Sequence, residues 1–325
     1  MSGTSISRLL AAGVVGSVAC VFPVAAQTYP SKPIRTIVPY GPGGISDRLA
    51  RQVGQKLSIA WSQQVIVENR PGGGTNIGSE LVIRAPADGY TILWAGIANT
   101  VMPALAAKPS YDPMRDFAWI TNIAKVPVLV VAHPSLPVRS AKALIELAKA
   151  KPDVLSFASS GTATSGHLAG ELLKIETGTR MIHIPYKGAS GALIDTLSGQ
   201  VPLYFGAMAS PISHVRAGKL RAIGLTTLKR SAAAPDIPTL HEQGVSGFDT
   251  STWYGIAAPA GTPAAIVSRW QVEVAKAIQH ADVRDRLASE GAEFVGDAPD
   301  AFTKFVGDEV QKWARVVRSG GMKAE

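Results

Sequence analysis

The 325-residue sequence holds one cysteine, Cys20, and it lies in the first 26 residues. A chain cut after Ala26 carries no thiol, no disulfide and no cysteine metal site, which suits an oxidising compartment. Six histidines (His133, His167, His183, His214, His241, His280) show no metal-ligand spacing, so neither a metal nor another cofactor is expected. Charged residues make up only 17%, and the net charge of +8 is scattered. Arg48, Arg51, Lys56 and Arg84 form no basic run and no aromatic-interleaved stripe, so nucleic acid is not an expected partner. Beyond residues 9–21 no stretch is apolar for long, and those 13 are too few to span a ~30 Å hydrocarbon core as a helix. Two phosphate motifs are missing as well. There is no Gly-Lys-Ser/Thr loop, and Gly41-Pro42-Gly43-Gly44 lacks the third glycine of a dinucleotide fingerprint.

What is present begins with Arg8, the apolar run from Leu9 to Val21, and Val24-Ala25-Ala26. A basic residue, a short apolar segment and small residues before a cut make a secretory signal peptide over residues 1–26. The mature chain is expected to start near Gln27, soluble and exported to a periplasm. Its length allows two ordinary domains, and 46% hydrophobic residues give a globular composition.

The chain is organised around Ile37–Asp47, Ile-Val-Pro-Tyr-Gly-Pro-Gly-Gly-Ile-Ser-Asp. An apolar run (Ile34, Ile37, Val38) enters it and a helical pattern (Leu49, Ala50, Val53, Leu57) leaves it. That is strand, glycine-rich turn, helix, and it sets free backbone N–H groups at a helix N-terminus, where an anion is favoured. Alternating strand and helix patterns up to about Ile123 predict βα units on a parallel sheet, with strands Ile34–Val38, Val65–Glu68, Thr91–Trp94 and Trp119–Ile123. Lys125–Ala132 reads as a further strand passing into a second core. Ser140 is expected to cap the next helix.

The strand Leu155–Ala158 leads into Ser159-Ser160-Gly161-Thr162-Ala163-Thr164-Ser165-Gly166 and a helix starting near His167. This second turn repeats the chemistry of the first and adds hydroxyl donors. Two such loops, one in each expected domain, point to a ligand clamped between helix N-termini across a cleft. Strands Val201–Phe205 and Leu220–Leu225 follow. Ser251–Pro259 reads as a strand crossing back to the first domain, and Thr262 as the cap of a helix with Pro263 at its first position. Gly188-Ala-Ser190-Gly191-Ala192 lacks the last glycine of a nucleophile elbow, and Ser190 is expected to cap a helix.

In order along the chain, Val38–Asp47, Val67-Glu-Asn-Arg-Pro-Gly-Gly-Gly-Thr-Asn-Ile-Gly78, Asp88-Gly-Tyr-Thr91, Ser159-Ser-Gly161 with His167, Pro185-Tyr-Lys-Gly188 and Trp253-Tyr-Gly255 with Ala258-Pro259 resemble the Bug family. These are the periplasmic substrate-binding proteins of tripartite tricarboxylate transporters. The resemblance covers the whole mature chain. It implies an α/β, two-domain periplasmic binding protein of the type II flytrap kind with two crossing hinge strands: domain 1 from 27–126 plus 252–325, domain 2 from 127–251. It also implies a small-molecule carboxylate as ligand and the permease subunits as partner; a monomer without enzymatic activity is expected.

Carried over residue by residue, the resemblance points to Tyr40, Gly43, Gly44 and Asp47 on the first loop, and to Ser159, Ser160, Thr162, Ser165 and His167 on the second. Many members carry an aspartate where this chain has Gly206, and in amino-acid-binding members it faces the ligand's ammonium group. Without that counter-charge a buried ammonium costs several kcal/mol, so an amine-free dicarboxylate, tricarboxylate or aromatic carboxylate is expected. Two other classes fit parts of the sequence: a secreted hydrolase using Ser165 or Ser190 with His167, and a periplasmic ligand sensor for a receptor kinase.

Overall fold

The computed structural model describes residues 29–288 and 291–322; the leader reading, with Cys20, lies outside them. The chain opens as βα units: β1 (Ile34–Val38), α1 (Ile45–Trp61), β2 (Val65–Asn69), α2 (Asn76–Ile83), β3 (Thr91–Gly96) and α3 (Ala98–Leu105). A long strand β4 (Phe117–Ala132) leads to α4 (Ala141–Ala150), β5 (Ser156–Ser159), α5 (Ser165–Thr177), β6 (Ile182–Pro185), α6 (Ala189–Leu197), β7 (Leu203–Ala207), α7 (Ile212–Arg216) and β8 (Arg221–Leu225). The return runs through β9 (Ser251–Pro259), α8 (Ala264–Ala277), α9 (Ala281–Ala288), β10 (Glu293–Phe294) and α10 (Pro299–Gly320).

The strands form one continuous sheet in the order β2-β1-β3-β9-β4-β7-β5-β6, with β8 and β10 also paired to β4. Its two ends are parallel, as βα units require: β1 with β2 and β3, and β5 with β6 and β7. Its middle is antiparallel, through β9 on β3 and β4 on both β9 and β7. The sheet is therefore mixed, where the sequence reading expected parallel strands throughout the first part.

The strand segments expected at Trp119–Ile123 and Lys125–Ala132 are one strand. Its first part pairs with β9 from Phe117 opposite Pro259 to Pro127 opposite Ser251. From Val128 onward the partners are β7 and β8. Pro127 lacks an N–H and sits where β9 leaves the ladder; its carbonyl accepts from Met208 N–H at 2.9 Å. A strand that changes partners at a proline reads in sequence as two pieces.

Alternation along β4 feeds two apolar clusters, one on each face. Val128, Val130 and Ala132 join Ile37, Leu93, Phe157 and Phe205 in one; Leu129 and Val131 join Ile34, Ile92, Ala158 and Tyr204 in the other. Each cluster thus spans both ends of the sheet. α10 packs against α3, β4 and α5, and Arg315 pairs with Glu176 of α5 at 3.3 Å, so this helix touches elements at both ends. Within it the buried Glu309 accepts from the indole N–H groups of Trp313, one turn on (2.8 Å), and of Trp253 on β9 (3.3 Å).

Helix starts follow the sequence in part. Ser140 caps α4 by accepting from Ala143 N–H, as expected. α5 begins at Ser165, two residues before the expected start, with Thr164 at the N-cap. Ser190 lies inside the first turn of α6, whose N-cap is Gly188. Pro263 occupies the N-cap of α8, and the Thr262 hydroxyl donates backwards to Pro259 O at 2.8 Å instead of capping.

Candidate functional site

A cleft of about 840 Å³ lies where the two parallel ends of the sheet face each other. One wall is Tyr40–Ser46 with Arg48, together with the turn Gly96–Ala98 after β3. The other is Ser160, Thr164–Gly166, Lys187–Ser190 and the turn after β7, and Thr252–Tyr254 of β9 lies between. α1, α3, α5 and α6 all start on this cleft, and none has a side-chain cap at its N-terminus. First-turn N–H groups and four helix dipoles are thus directed at one space, which favours an anion there.

The first loop is shaped by Asp47. Its carboxylate accepts from Gly43 N–H at 2.9 Å, Arg51 Nε at 3.0 Å and Asn69 Nδ2 at 3.0 Å. Burial alone would raise the Asp47 carboxyl, but these three donors outweigh it and hold it below the usual carboxylate range. Gly43 has φ +85°, a left-handed turn that a side chain would strain. Arg48 reaches back to Gly43 O at 2.9 Å. Ser46, one residue into α1, is 6% exposed, lines the cleft, and its hydroxyl has no partner among the described residues. The Tyr40 phenol is pushed far up by burial and stays neutral, offering a hydroxyl and no charge.

The second loop rests on a histidine pair. His167 and His183 stack with ring centroids 3.8 Å apart. Ala163 N–H donates to His167 Nδ1 at 3.1 Å, which leaves the ring proton on Nε2, and Ser159 Oγ lies 2.7 Å from His183 Nε2. Burial, with Lys174 adding, lowers His167 to about 4; burial, with His167 and Lys174 adding, lowers His183 to about 3. Glu171, buried and paired to Lys174 at 2.8 Å, is the carboxylate beside them, 3.8 Å from His167 Nε2.

Both imidazoles are neutral at pH 7, and in the unfolded chain each would protonate near its ordinary ~6.5. The stability they confer is therefore present above about pH 6.5 and is lost as the pH falls towards 4 and then 3. For His167 the loss at pH 5 is about 2 kcal/mol. Thermal midpoints recorded from pH 7 to pH 5 should fall, and His167→Gln should flatten that slope; a slope unchanged by the substitution would contradict the assignment.

Of the residues singled out in the sequence, Tyr40, Gly43, Gly44, Ser160, Ser165 and Gly206 line the cleft. Asp47, Ser159, Thr162 and His167 are not among the lining residues; Asp47 shapes the first loop and Ser159 and His167 support the second. The Ser165 hydroxyl bonds Thr252 Oγ1 on the crossing strand. Gly206 has no room for a side chain: a Cβ there would lie 2.0 Å from the Tyr204 hydroxyl, which is fully buried and sits 3.4 Å from Ser160 Oγ. Ser46, Arg48, Lys187, Ser210 and Thr252–Tyr254 also line the cleft, and the sequence motifs do not single them out as site residues. Several of these positions lay within quoted motifs: Ser46 in the first loop, Lys187 in Pro185-Tyr-Lys-Gly188, which also runs from a strand into a helix start, and Trp253-Tyr254 in the crossing strand. Among the described residues no group of three or more His, Cys, Asp or Glu could hold a metal.

Residues 49–322 match the family described as "Tripartite tricarboxylate transporter family receptor". The chain is 36% identical over 323 residues to protein BugT of Bordetella pertussis, covering 98% of this chain and 99% of BugT. Among solved structures it is similar to R. palustris Rpa4515 with adipate (33% identical, TM-score 0.80, 91% of this chain and 99% of that one). It is also similar to MatC from Rhodopseudomonas palustris with bound malate (28% identical, TM-score 0.78, 89% of this chain and 100% of that one). The chain belongs to the tripartite tricarboxylate transporter receptor family, the Bug proteins, and has their two-domain α/β periplasmic binding protein fold.

Proposed function

From that membership we propose that the protein is a periplasmic solute-binding protein that captures a small amine-free carboxylate between its two domains and delivers it to a tripartite tricarboxylate-type permease. The observation that carries this reading is the cleft itself: four helix N-termini without side-chain caps, two cationic residues (Arg48 and Lys187) and no aspartate or glutamate among its lining residues. An ammonium group would meet cations and amide donors there and no counter-charge. The Tyr204 hydroxyl fills the space above Gly206, so no acidic side chain supplies one. The adipate and malate bound by Rpa4515 and MatC are dicarboxylates without an amine, in line with this class.

The strand pairing supports a division into two domains at the crossings. We divide the chain into 27–126 plus 252–325 and 127–251, because β4 exchanges β9 for β7 and β8 at Pro127, opposite Ser251. Closure then turns about the two crossings, β4 and the start of β9. A ligand touching both walls favours the closed form because it interacts differently with the two states. The hydrolase arrangement has little support: His167 is packed under the second loop and makes no hydrogen bond to Ser165 or Ser190 among the described residues.

The test is a thermal-shift screen of the chain from Gln27 against mono-, di-, tricarboxylic and aromatic acids and against amino acids. An acid at about 100 times its dissociation constant should add roughly 2.7 kcal/mol of stability. Shifts confined to amine-free acids are the expected result. A shift with aspartate or glutamate and none with amine-free acids would overturn the ligand class.

A further inference from the structure

The cleft carries one cation on each wall, and the two differ in what holds them. Arg48 belongs to the first wall and its guanidinium already braces Gly43 O. Lys187 belongs to the second wall, on the turn between β6 and α6, and is exposed. Its ammonium makes no ion pair or hydrogen bond to any described residue.

The backbone around Lys187 is fixed even though its side chain is not engaged. Tyr186 N–H donates to Ser159 O at 3.2 Å and Gly188 N–H to Ser160 O at 3.1 Å, so the turn is tied to the second loop. The Tyr186 phenol donates to Asp195 Oδ2 at 2.5 Å on α6, and burial, with that carboxylate adding, pushes it up to about 12. Asp195 is thereby occupied by Tyr186. A positioned backbone, a long flexible cation and a cleft free of lining acids leave Lys187 with solvent or a ligand anion as its partner.

Across the cleft, the start of α1 presents uncapped N–H groups, with the buried and unpartnered Ser46 hydroxyl in the same first turn, and this helix start takes one carboxylate without a full counter-charge. We propose that Lys187 receives the second carboxylate of a dianionic ligand whose first carboxylate sits at the start of α1. The ligand then spans from one wall to the other by its charges. This inference rests on the carboxylate reading above and narrows it: two carboxylates are required for tight binding, and Lys187 sets that requirement. A monocarboxylate of the same length satisfies α1 and leaves the lysine without an anion.

The experiment is calorimetric titration of the chain from Gln27 with succinate, glutarate and adipate, each against the monocarboxylate of equal carbon number: butanoate, pentanoate and hexanoate. The wild type should prefer the dicarboxylate at the best length by roughly 10- to 100-fold, the range of a hydrogen bond to a charged partner. In Lys187→Met that preference should collapse towards one. Lys187→Glu should instead favour the matched ω-amino acid (4-aminobutanoate, 5-aminopentanoate or 6-aminohexanoate) over the dicarboxylate. Far-ultraviolet circular dichroism and the thermal midpoint of each variant show that it is folded. A preference that persists in Lys187→Met, or a wild type that binds both acids of a pair equally, overturns the role of Lys187 while leaving the carboxylate reading standing. A wild type that binds none of these six acids but responds to an aromatic or tricarboxylic acid in the thermal-shift screen overturns this inference alone, and one that responds to no acid in that screen overturns the carboxylate reading as well.

Discussion

Gly166→Ala should lower the thermal midpoint by several degrees and abolish ligand binding at the same time. Gly166 lies in the first turn of α5, where the helix meets the backbone of β7. A Cβ at this position would lie 2.0 Å from Phe205 O and 2.8 Å from Phe205 C. Backbone cannot rotate aside as a side chain can, so α5 must lift away from the sheet. Forcing a methyl into a packed interior costs about 1–3 kcal/mol, and more where the neighbour is rigid. The displaced turn also carries Ser165, whose hydroxyl bonds Thr252 on β9, so the lift uncouples the second loop from the crossing strand. Gly44→Ala is the control for stability. Its backbone is extended (φ −71°, ψ 172°) and an added methyl meets nothing within 4 Å, so the midpoint should hold. Equal midpoints for Gly166→Ala and the wild type would refute the close approach of α5 to β7.

Ser160→Leu should leave the fold intact and weaken acid binding by about 100-fold or more. Ser160 is half-buried on the cleft wall, with its hydroxyl 3.4 Å from the Tyr204 phenol. Its carbonyl accepts from Gly188 N–H, an interaction the substitution keeps. The leucine side chain therefore projects into space the ligand needs, while the Tyr204 phenol keeps its hydrogen bond to Ser210, so the stability change should stay within about 1 kcal/mol. Circular dichroism and thermal melting check the first half and calorimetry the second. Undiminished affinity would remove the second loop from the site.

The sequence carried the fold furthest where local chemistry and tertiary structure agree. β1 at Ile34–Val38 and β9 at Ser251–Pro259 lie where their apolar runs place them, and Ser140 caps α4 as its hydroxyl allows. β4 was harder, because Lys125 and Pro127 interrupt a strand whose continuity depends on a change of partner. The two glycine-rich loops announced themselves by strand, turn and helix start. The residues that join them did not: Thr252–Tyr254, Gly96–Ala98 and Ser210 reach the cleft only through the strand order, which no local pattern records. Asp47 and His167 have the chemistry of ligand contacts, yet both turn inward to hold a loop. Their spacing looks the same in sequence whether the side chain faces the ligand or the loop behind it. Lys187 lay inside a quoted motif, but its significance needs the absence of acids around it, and that is a property of the assembled cleft.

In the proposed binding mode one anion is held by both loops at once. Amide hydrogen exchange of the chain from Gln27, with and without the acid that gives the largest thermal shift, tests it most directly. Exchange should slow together at Gly43–Asp47 and at Gly161–His167, with α4 unchanged. Protection of one loop alone, or of neither while the acid is bound, would contradict it.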